Sequence, residues 1–347
     1  MKNGPFAVIG ASVLWGTAGT AGLLVSADSI ALAAARLVIG GTALALVGLF
    51  AGAGAGAGAG TGAGVGRDPL VTPRQPVTPR LPPALRLPVT PGLLAAAVAV
   101  AVYQLCFFAA VARTGVAIGT VVAIGSGPVF TGVLSWLLHG ERPSRRWAMA
   151  TAAAVCGCAA LIVGGGAQAG GQMVSGVLFA LLGGLLYAFY AVTAARAIST
   201  GASSNAVMGV MFGGAAVIMV PVLLWRGTEW LAEPRGLFAA LYLGVGATAL
   251  SYFLYGRGLR TTPVATAATL ALAEPAVAAL LGLVVLGERL TSVSIAGLVL
   301  LAISLVVVAV PEKRPSERPL AERPASEEAR AVAGETVCPD EALESQP

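Results

Sequence analysis

The sequence predicts an all-α polytopic membrane protein, with ten transmembrane helices arranged as two inverted five-helix repeats. Three observations carry that reading. Of the 347 residues, 11% are charged and 57% hydrophobic, with a mean hydropathy of +0.85, whereas an ordinary soluble domain carries roughly 25% charged residues. The apolar residues form ten continuous runs near the length of about 20 residues that crosses a bilayer. Finally, two stretches of chain align without a gap at a shift of 147 residues.

The predicted spans are 5–24, 30–50, 92–112, 116–138, 146–165, 174–195, 205–225, 236–256, 264–286 and 292–310. A transmembrane β-barrel would show strictly alternating segments of about 10 residues. These runs are twice as long, continuously apolar and rich in Ala and Leu, so they are helices. The first run, Pro5 to Val25 behind Lys2, is long for the apolar core of a signal peptide and reads as a span.

Charge sets the topology. The net charge is +5, but residues 1–310 hold 16 Lys/Arg and 7 Asp/Glu, while 311–347 hold 5 and 9. A basic excess on a hydrophobic body marks basic loops rather than a nucleic-acid partner. With the N-terminus inside, the inner loops collect 11 Lys/Arg and the outer loops 4, those four being Arg113, Arg226, Arg235 and Arg289. Both termini are therefore expected to be cytoplasmic, in a multi-pass protein of the plasma membrane.

The second and third spans are separated by an insert, 51–91. It opens with AGAGAGAGAGTGAG at 51–64, read as a flexible spacer, and continues into Pro/Arg-rich VTPR repeats. Proline at that density excludes helix. The tail 311–347 has too little apolar surface to fold alone and is expected to be disordered. The expected domains are a first repeat over 1–165, a second over 174–310, and the tail.

The internal alignment places Arg113-Thr114 on Arg260-Thr261, Pro128 on Pro275, and Gly140-Glu141-Arg142 on Gly287-Glu288-Arg289, with Ser144 on Thr291. Five spans per half is an odd number, so the second half enters the membrane upside down. Inverted repeats are a hallmark of secondary transporters. The segments PVFTGVLSWLLHGERPS (128–144) and LALAEPAVAALLGLVVLGERLT (270–291), with Leu14-Trp15-Gly16 and Arg36, resemble the EamA-type transporters of the drug/metabolite transporter superfamily. The resemblance covers about residues 5–310. It implies ten spans in two five-helix halves around a central pocket, which would fit Trp15, Tyr103, Tyr187, Ser251 and Tyr252. The insert at 51–91 and the acidic tail depart from the family pattern.

Two ionisable residues lie well inside spans, where a charge costs about 2.5–3.5 kcal/mol on insertion scales. Glu274 sits about 15 Å deep, near the midplane, and its repeat partner is Gly127. It is either a proton- or substrate-binding carboxyl or a protonated group hydrogen-bonded between helices. Arg36 sits roughly 9 Å below the outer surface. It either snorkels outward, pairs with Glu274, or binds an anionic group of the substrate. Pro128 and Pro275 each deny a backbone hydrogen bond to the carbonyl four residues earlier, on Ile124 and Ala271. Opened backbone at membrane depth is tolerated in protein or beside a wet cavity, which favours a central site between the prolines; the alternative is a kink that serves packing alone.

Aromatics with polar tips supply further candidates: Trp15, Tyr103 with Gln104, Tyr187 with Tyr190, and Tyr252 with Tyr255. Tyr187 and Tyr190 share a helix face. The Gly140-Glu141-Arg142 and Gly287-Glu288-Arg289 motifs read as membrane-edge turns that hydrogen-bond to the next helix. The Gly209 and Gly213 pair would permit close helix packing and leaves a homodimer open.

Other chemistries fail on inventory. His139 is the one histidine, and the four cysteines form no framework or metal set. Asp28, Asp68 and Asp340 all lie outside the spans, and no phosphate-binding loop is present. Neither an enzyme, a cofactor nor a metal is expected. The expected function is alternating-access transport of a small organic metabolite or drug-like solute, efflux being the family's commoner direction, with protons as a candidate coupling ion. The competing reading is a membrane scaffold or sensor acting through the inner loop and tail. An inverted repeat with mid-span prolines has no evident purpose there.

Overall fold

Long apolar segments in a bilayer must satisfy every backbone N–H and C=O internally, and the chain does so with helices throughout. A computed structural model describes residues 3–22, 27–57, 89–114, 116–140, 142–164, 172–285 and 290–310. Most of the insert (58–88), the tail 311–347, Glu141 and Gly287-Glu288-Arg289 lie outside the described residues. All described residues belong to one unit that ends at Val310.

The first half comprises α1 (Gly4–Gly22), α2 (Ser29–Ala57), α3 (Pro91–Thr114), α4 (Val116–His139) and α5 (Arg145–Gly164). The second half opens with α6 (Met173–Ser199) and α7 (Ser204–Arg226). Its eighth span is composite: α8 (Pro234–Leu241), a π-helical stretch Tyr242–Leu250, then α9 (Ser251–Gly258). The ninth is split into α10 (Val264–Leu270) and α11 (Ala273–Val285), and α12 (Ser292–Ala309) closes the bundle. Among the described residues, nine helical stretches are long and apolar enough to cross a bilayer, and α1 adds a shorter apolar helix, Gly4–Ala18. One expectation is corrected: α2 continues to Ala57, so the Ala/Gly tract begins as helix rather than spacer. Alanine is the best helix former, and its alternation here offsets the glycines.

Several helix starts are fixed by side-chain caps. Asp28 Oδ2 accepts from the Ala31 N–H (3.0 Å), Ser144 Oγ from Trp147 (3.1 Å) and Thr291 Oγ1 from Ser294 (3.2 Å). Each oxygen satisfies an otherwise orphaned first-turn donor. Ser144 and Thr291 are repeat partners and cap equivalent helices, α5 and α12.

The packing repeats as the sequence does. The second span packs on the seventh and the fifth on the tenth. The first span packs on the eighth and ninth, and its counterpart, the sixth, packs on the third and fourth. Adding five to each span number exchanges these pairs, as a pseudo-two-fold axis requires. Small residues allow the close crossings. A Cβ on Gly157 would lie 2.8 Å from the Gly297 carbonyl, and one on Gly297 would lie 2.6 Å from that of Gly157. Gly209 and Gly213 abut Leu44 and Ala45 of α2, so this glycine pair serves packing within the chain and gives no support to a homodimer. Leu224, Trp225 and Val284 stand exposed on the outside, the surface a bilayer would cover.

Gly4 packs against Gly258, Thr261 and Thr262, and Gly48 against Asn205. Asp28 and Arg226 meet at the opposite face, in a bidentate pair of 2.6 and 2.9 Å. The chain's N-terminus, the α6–α7 turn and the α9–α10 turn therefore share one face. The Arg226 guanidinium, hydrogen-bonded to Asp28, holds that carboxyl below its ordinary value.

Candidate functional site

The ninth span shows how sequence places the site. Pro275 has no N–H for the Ala271 carbonyl. The Glu274 N–H, which a continuous helix would aim at Leu270, donates to Ala271 instead (3.0 Å), and Leu272 donates to Thr269 (3.0 Å). The Leu270 carbonyl released by this shift accepts the Ser12 hydroxyl of α1 (3.3 Å). The Ala271 carbonyl is thus not left open, contrary to the sequence expectation. The helix breaks at Ala271-Leu272, and Glu274 falls in the first turn of α11. There the helix dipole favours a negative charge. At the matching depth, α4 runs unbroken through Pro128.

Around that break lies a cavity of about 60 Å³. Its polar wall is Trp15, Arg36, Tyr103, Tyr187, Tyr190, Tyr252 and Glu274, contributed by six spans. Ala18, Ala123, Ile124, Ala268 and Ala271 complete it. Ile124 and Ala271, the residues four before each proline, therefore both border the same space. Arg36 faces inward and does not snorkel. Its Nη2 donates to Gln104 Oε1 at 3.3 Å, while its buried Nε has no partner among the described residues. The buried Nε1 of Trp15 also lacks one. Arg36 and Glu274 face the same cavity but stay beyond ion-pair distance of each other; among the described residues the ion pair is Asp28–Arg226.

The tyrosines form a cross-braced cage. Tyr187 shares a hydrogen bond with Tyr255 (3.2 Å), and Tyr190 with Tyr252 (3.3 Å), tying α6 to α9. Trp15 packs on Tyr252 with ring centroids 5.0 Å apart, and Tyr187 meets Tyr190 edge-on at 5.3 Å. Tilted and edge-to-face contacts at such separations are favourable ring geometries. Behind the cage, Thr248 Oγ1 donates to the Leu243 carbonyl five residues back (2.8 Å), inside the π-helical stretch. Thr17 and the Tyr242 hydroxyl share a 2.6 Å hydrogen bond that ties this stretch to α1.

Two sequence candidates sit elsewhere. Ser251 is fully buried and donates to its own helix, at Ala247 (2.7 Å) and Thr248 (3.0 Å). It does not face the cavity. Gln104 is buried behind Arg36, as its acceptor. Of the repeat motifs, Gly140 ends α4 with φ +70°, a conformation glycine adopts without penalty, and Arg142 is exposed. Sequence reasoning missed Ala18, Ala123 and Ala268 of the wall, and the π-helical turn. Alanines are so frequent in this chain that none stands out as a liner. Among the described residues, no group of three or more His, Cys, Asp or Glu side chains could hold a metal ion.

The comparisons with known proteins agree with this architecture. The EamA-like transporter family matches residues 69–163 and 174–310, once in each half. The uncharacterized transporter YwfM of Bacillus subtilis is 35% identical over 310 residues, covering 88% of this chain and 94% of that protein. The threonine/homoserine exporter RhtA of Salmonella typhimurium is 34% identical over 132 residues, which is 36% of this chain and 42% of that one. A solved crystal structure superposes with a TM-score of 0.67 at 20% identity, covering 89% of this chain and 98% of its own, and so shares the fold. On the family match across both halves and the near full-length likeness to YwfM, the chain belongs to the EamA-like transporter family and is a membrane transporter.

Proposed function

We propose that this transporter carries a small zwitterionic metabolite of amino-acid type by alternating access at the Arg36–Glu274 cavity. The observation that carries the reading is the unpaired opposition of charge. One guanidinium and one carboxyl face a single small cavity without neutralising each other. A buried charge needs a partner, and a solute with both a carboxylate and an ammonium supplies both. Gln104 occupies one Arg36 hydrogen and orients the group; the free Nε–H is a donor for the carboxylate. Glu274 receives the ammonium, and the aromatic cage offers rings to a cation.

Cavity size supports a small solute over a drug-like one. The space is about 60 Å³ and must widen even for an amino acid, but far less than for the about 300–1,000 Å³ of drug-sized ligand pockets. The two five-span halves rock about this site, in the manner of inverted-repeat transporters. The direction is export, a reading supported by the relative named for threonine and homoserine export. Glu274 releases the ammonium as it takes up an external proton, which couples the cycle to the proton gradient. The location is the plasma membrane with both termini in the cytoplasm, a reading supported by the basic inner loops.

Counterflow in proteoliposomes tests this, with and without a pH gradient, for amino acids, amines, nucleosides and drug-like cations. The expected result is counterflow of small neutral amino acids that a pH gradient accelerates. Preferential movement of drug-like cations or nucleosides would overturn it.

A further inference from the structure

A second cavity, of about 370 Å³, opens at the face that holds the N-terminus, between the α6–α7 turn and the end of α9. Gly201, Ser203, Ser204, Asn205, Arg257 and Arg260 line it. Among the described residues that line it, none is acidic. Arg257 is held against the Phe253 ring, with its guanidinium carbon 5.0 Å from the centroid. Among the described residues, the Arg260 side chain has no ion-pair or hydrogen-bond partner.

The same cavity receives the start of α7, a 23-residue helix. Its N-cap, Ser203, makes no side-chain capping hydrogen bond, so the first-turn amides keep their donor capacity. Ser204 is 7% exposed, and among the described residues its hydroxyl has no hydrogen-bond partner. Ser204 lines the cavity, so that free hydroxyl adds a donor to the amides and the two guanidinium groups. Arginines that only set topology have no reason to converge on one concavity with a helix N-terminus and the unpartnered hydroxyl of a largely buried serine.

We propose that this cavity is a binding site for a phosphate group, separate from the transport cavity. Donors reach it from a helix terminus, a hydroxyl and two guanidinium groups, a geometry suited to a tetrahedral oxyanion. The volume falls within the range of built small-molecule sites. The phosphate belongs either to an anionic lipid headgroup, since the site lies at the ends of spans, or to a soluble phosphate. In both cases it bridges α7 and α9.

Thermal unfolding of the purified full chain in neutral detergent tests the site with defined probes. Phosphatidylglycerol is compared with phosphatidylcholine, and inorganic phosphate with chloride at equal ionic strength. Wild-type protein is expected to be stabilised by phosphatidylglycerol, by phosphate, or by both. Stabilisation by the lipid alone assigns the lipid source, and by phosphate alone the soluble one. The Arg257→Gln/Arg260→Gln variant should need at least about tenfold more probe, since the loss of a single charge-assisted hydrogen bond already costs about that factor. Should that variant not fold, Ser204→Ala carries the test, with a smaller loss in the same direction. Absence of stabilisation by either probe, or equal stabilisation of wild type and a folded variant, would overturn the proposal. Transport is not measured, so this outcome is independent of the zwitterion reading.

Discussion

The two halves meet the same proline in different ways. In α4, Gly127-Pro128 sits within an unbroken helix; in the ninth span, Glu274-Pro275 follows a break at Ala271-Leu272. The scaffold around them is alike: equivalent pairs of spans pack together, and Ser144 and Thr291 cap equivalent helices. The difference lies in what is added. The second half carries the buried carboxyl, the helix break and the π-helical turn, while the first supplies Arg36 and its Gln104 support. The span pairings form a symmetric frame, and the proposed chemistry is asymmetric within it.

Substitutions can break that comparison. The largest effect is expected from Glu274→Gln, which keeps shape and removes charge. Counterflow should fall about 100-fold and lose its pH dependence, because truncating one partner of a buried charge pair costs about 2–5 kcal/mol. Unchanged coupling in a folded variant removes Glu274 from the mechanism. Next come the prolines. Pro275→Ala should let the helix continue, moving Glu274 off a helix start and slowing transport roughly fivefold, the factor set by about 1 kcal/mol of helix-terminus electrostatics. Pro128→Ala should leave the transport rate within about twofold, as α4 is already continuous. Equal rates in the two variants would erase the functional distinction between the halves.

Scaffold changes should instead act symmetrically. Gly157→Ala and Gly297→Ala each push a methyl against the other helix's backbone. Both should lower stability by a similar amount, about 1–3 kcal/mol of overpacking, measured by thermal unfolding. A loss in one variant alone would show that the frame is not symmetric. The smallest effect belongs to the exposed Asp28–Arg226 pair. The Asp28 carboxyl is held below its ordinary 3.8. Its contribution is therefore present above that value and lost as pH falls through the lower folded-state value. Asp28→Asn should melt slightly below wild type at pH 7, and the gap should close toward pH 3. A gap that widens on acidification would contradict the pairing.

Much of the frame was legible because bilayer physics writes it plainly. Continuous apolar runs, loop arginines and a 147-residue shift are enough for ten spans in two halves. The cavity was partly legible. Arg36 and Glu274 stand out as charges at depth, and Tyr187 and Tyr190 as a pair on one face. Three features were not. The π-helical stretch YLGVGATAL is as apolar as its neighbours, and its Thr248-to-Leu243 hydrogen bond leaves no compositional trace. Ser251 looked like a pocket residue, yet a buried hydroxyl can turn onto its own backbone. The unequal fates of Pro128 and Pro275 depend on a neighbour, since Ser12 of α1 satisfies the Leu270 carbonyl that the break releases.

The most direct test asks whether Arg36 reads the carboxylate of the solute. Binding of threonine would be compared with that of its carboxylate-free amine, in wild-type protein and in Arg36→Gln. Wild type should prefer the zwitterion by about tenfold or more, the worth of one charge-assisted hydrogen bond, and Arg36→Gln should bind the two equally. The same preference in a folded Arg36→Gln protein would contradict the account.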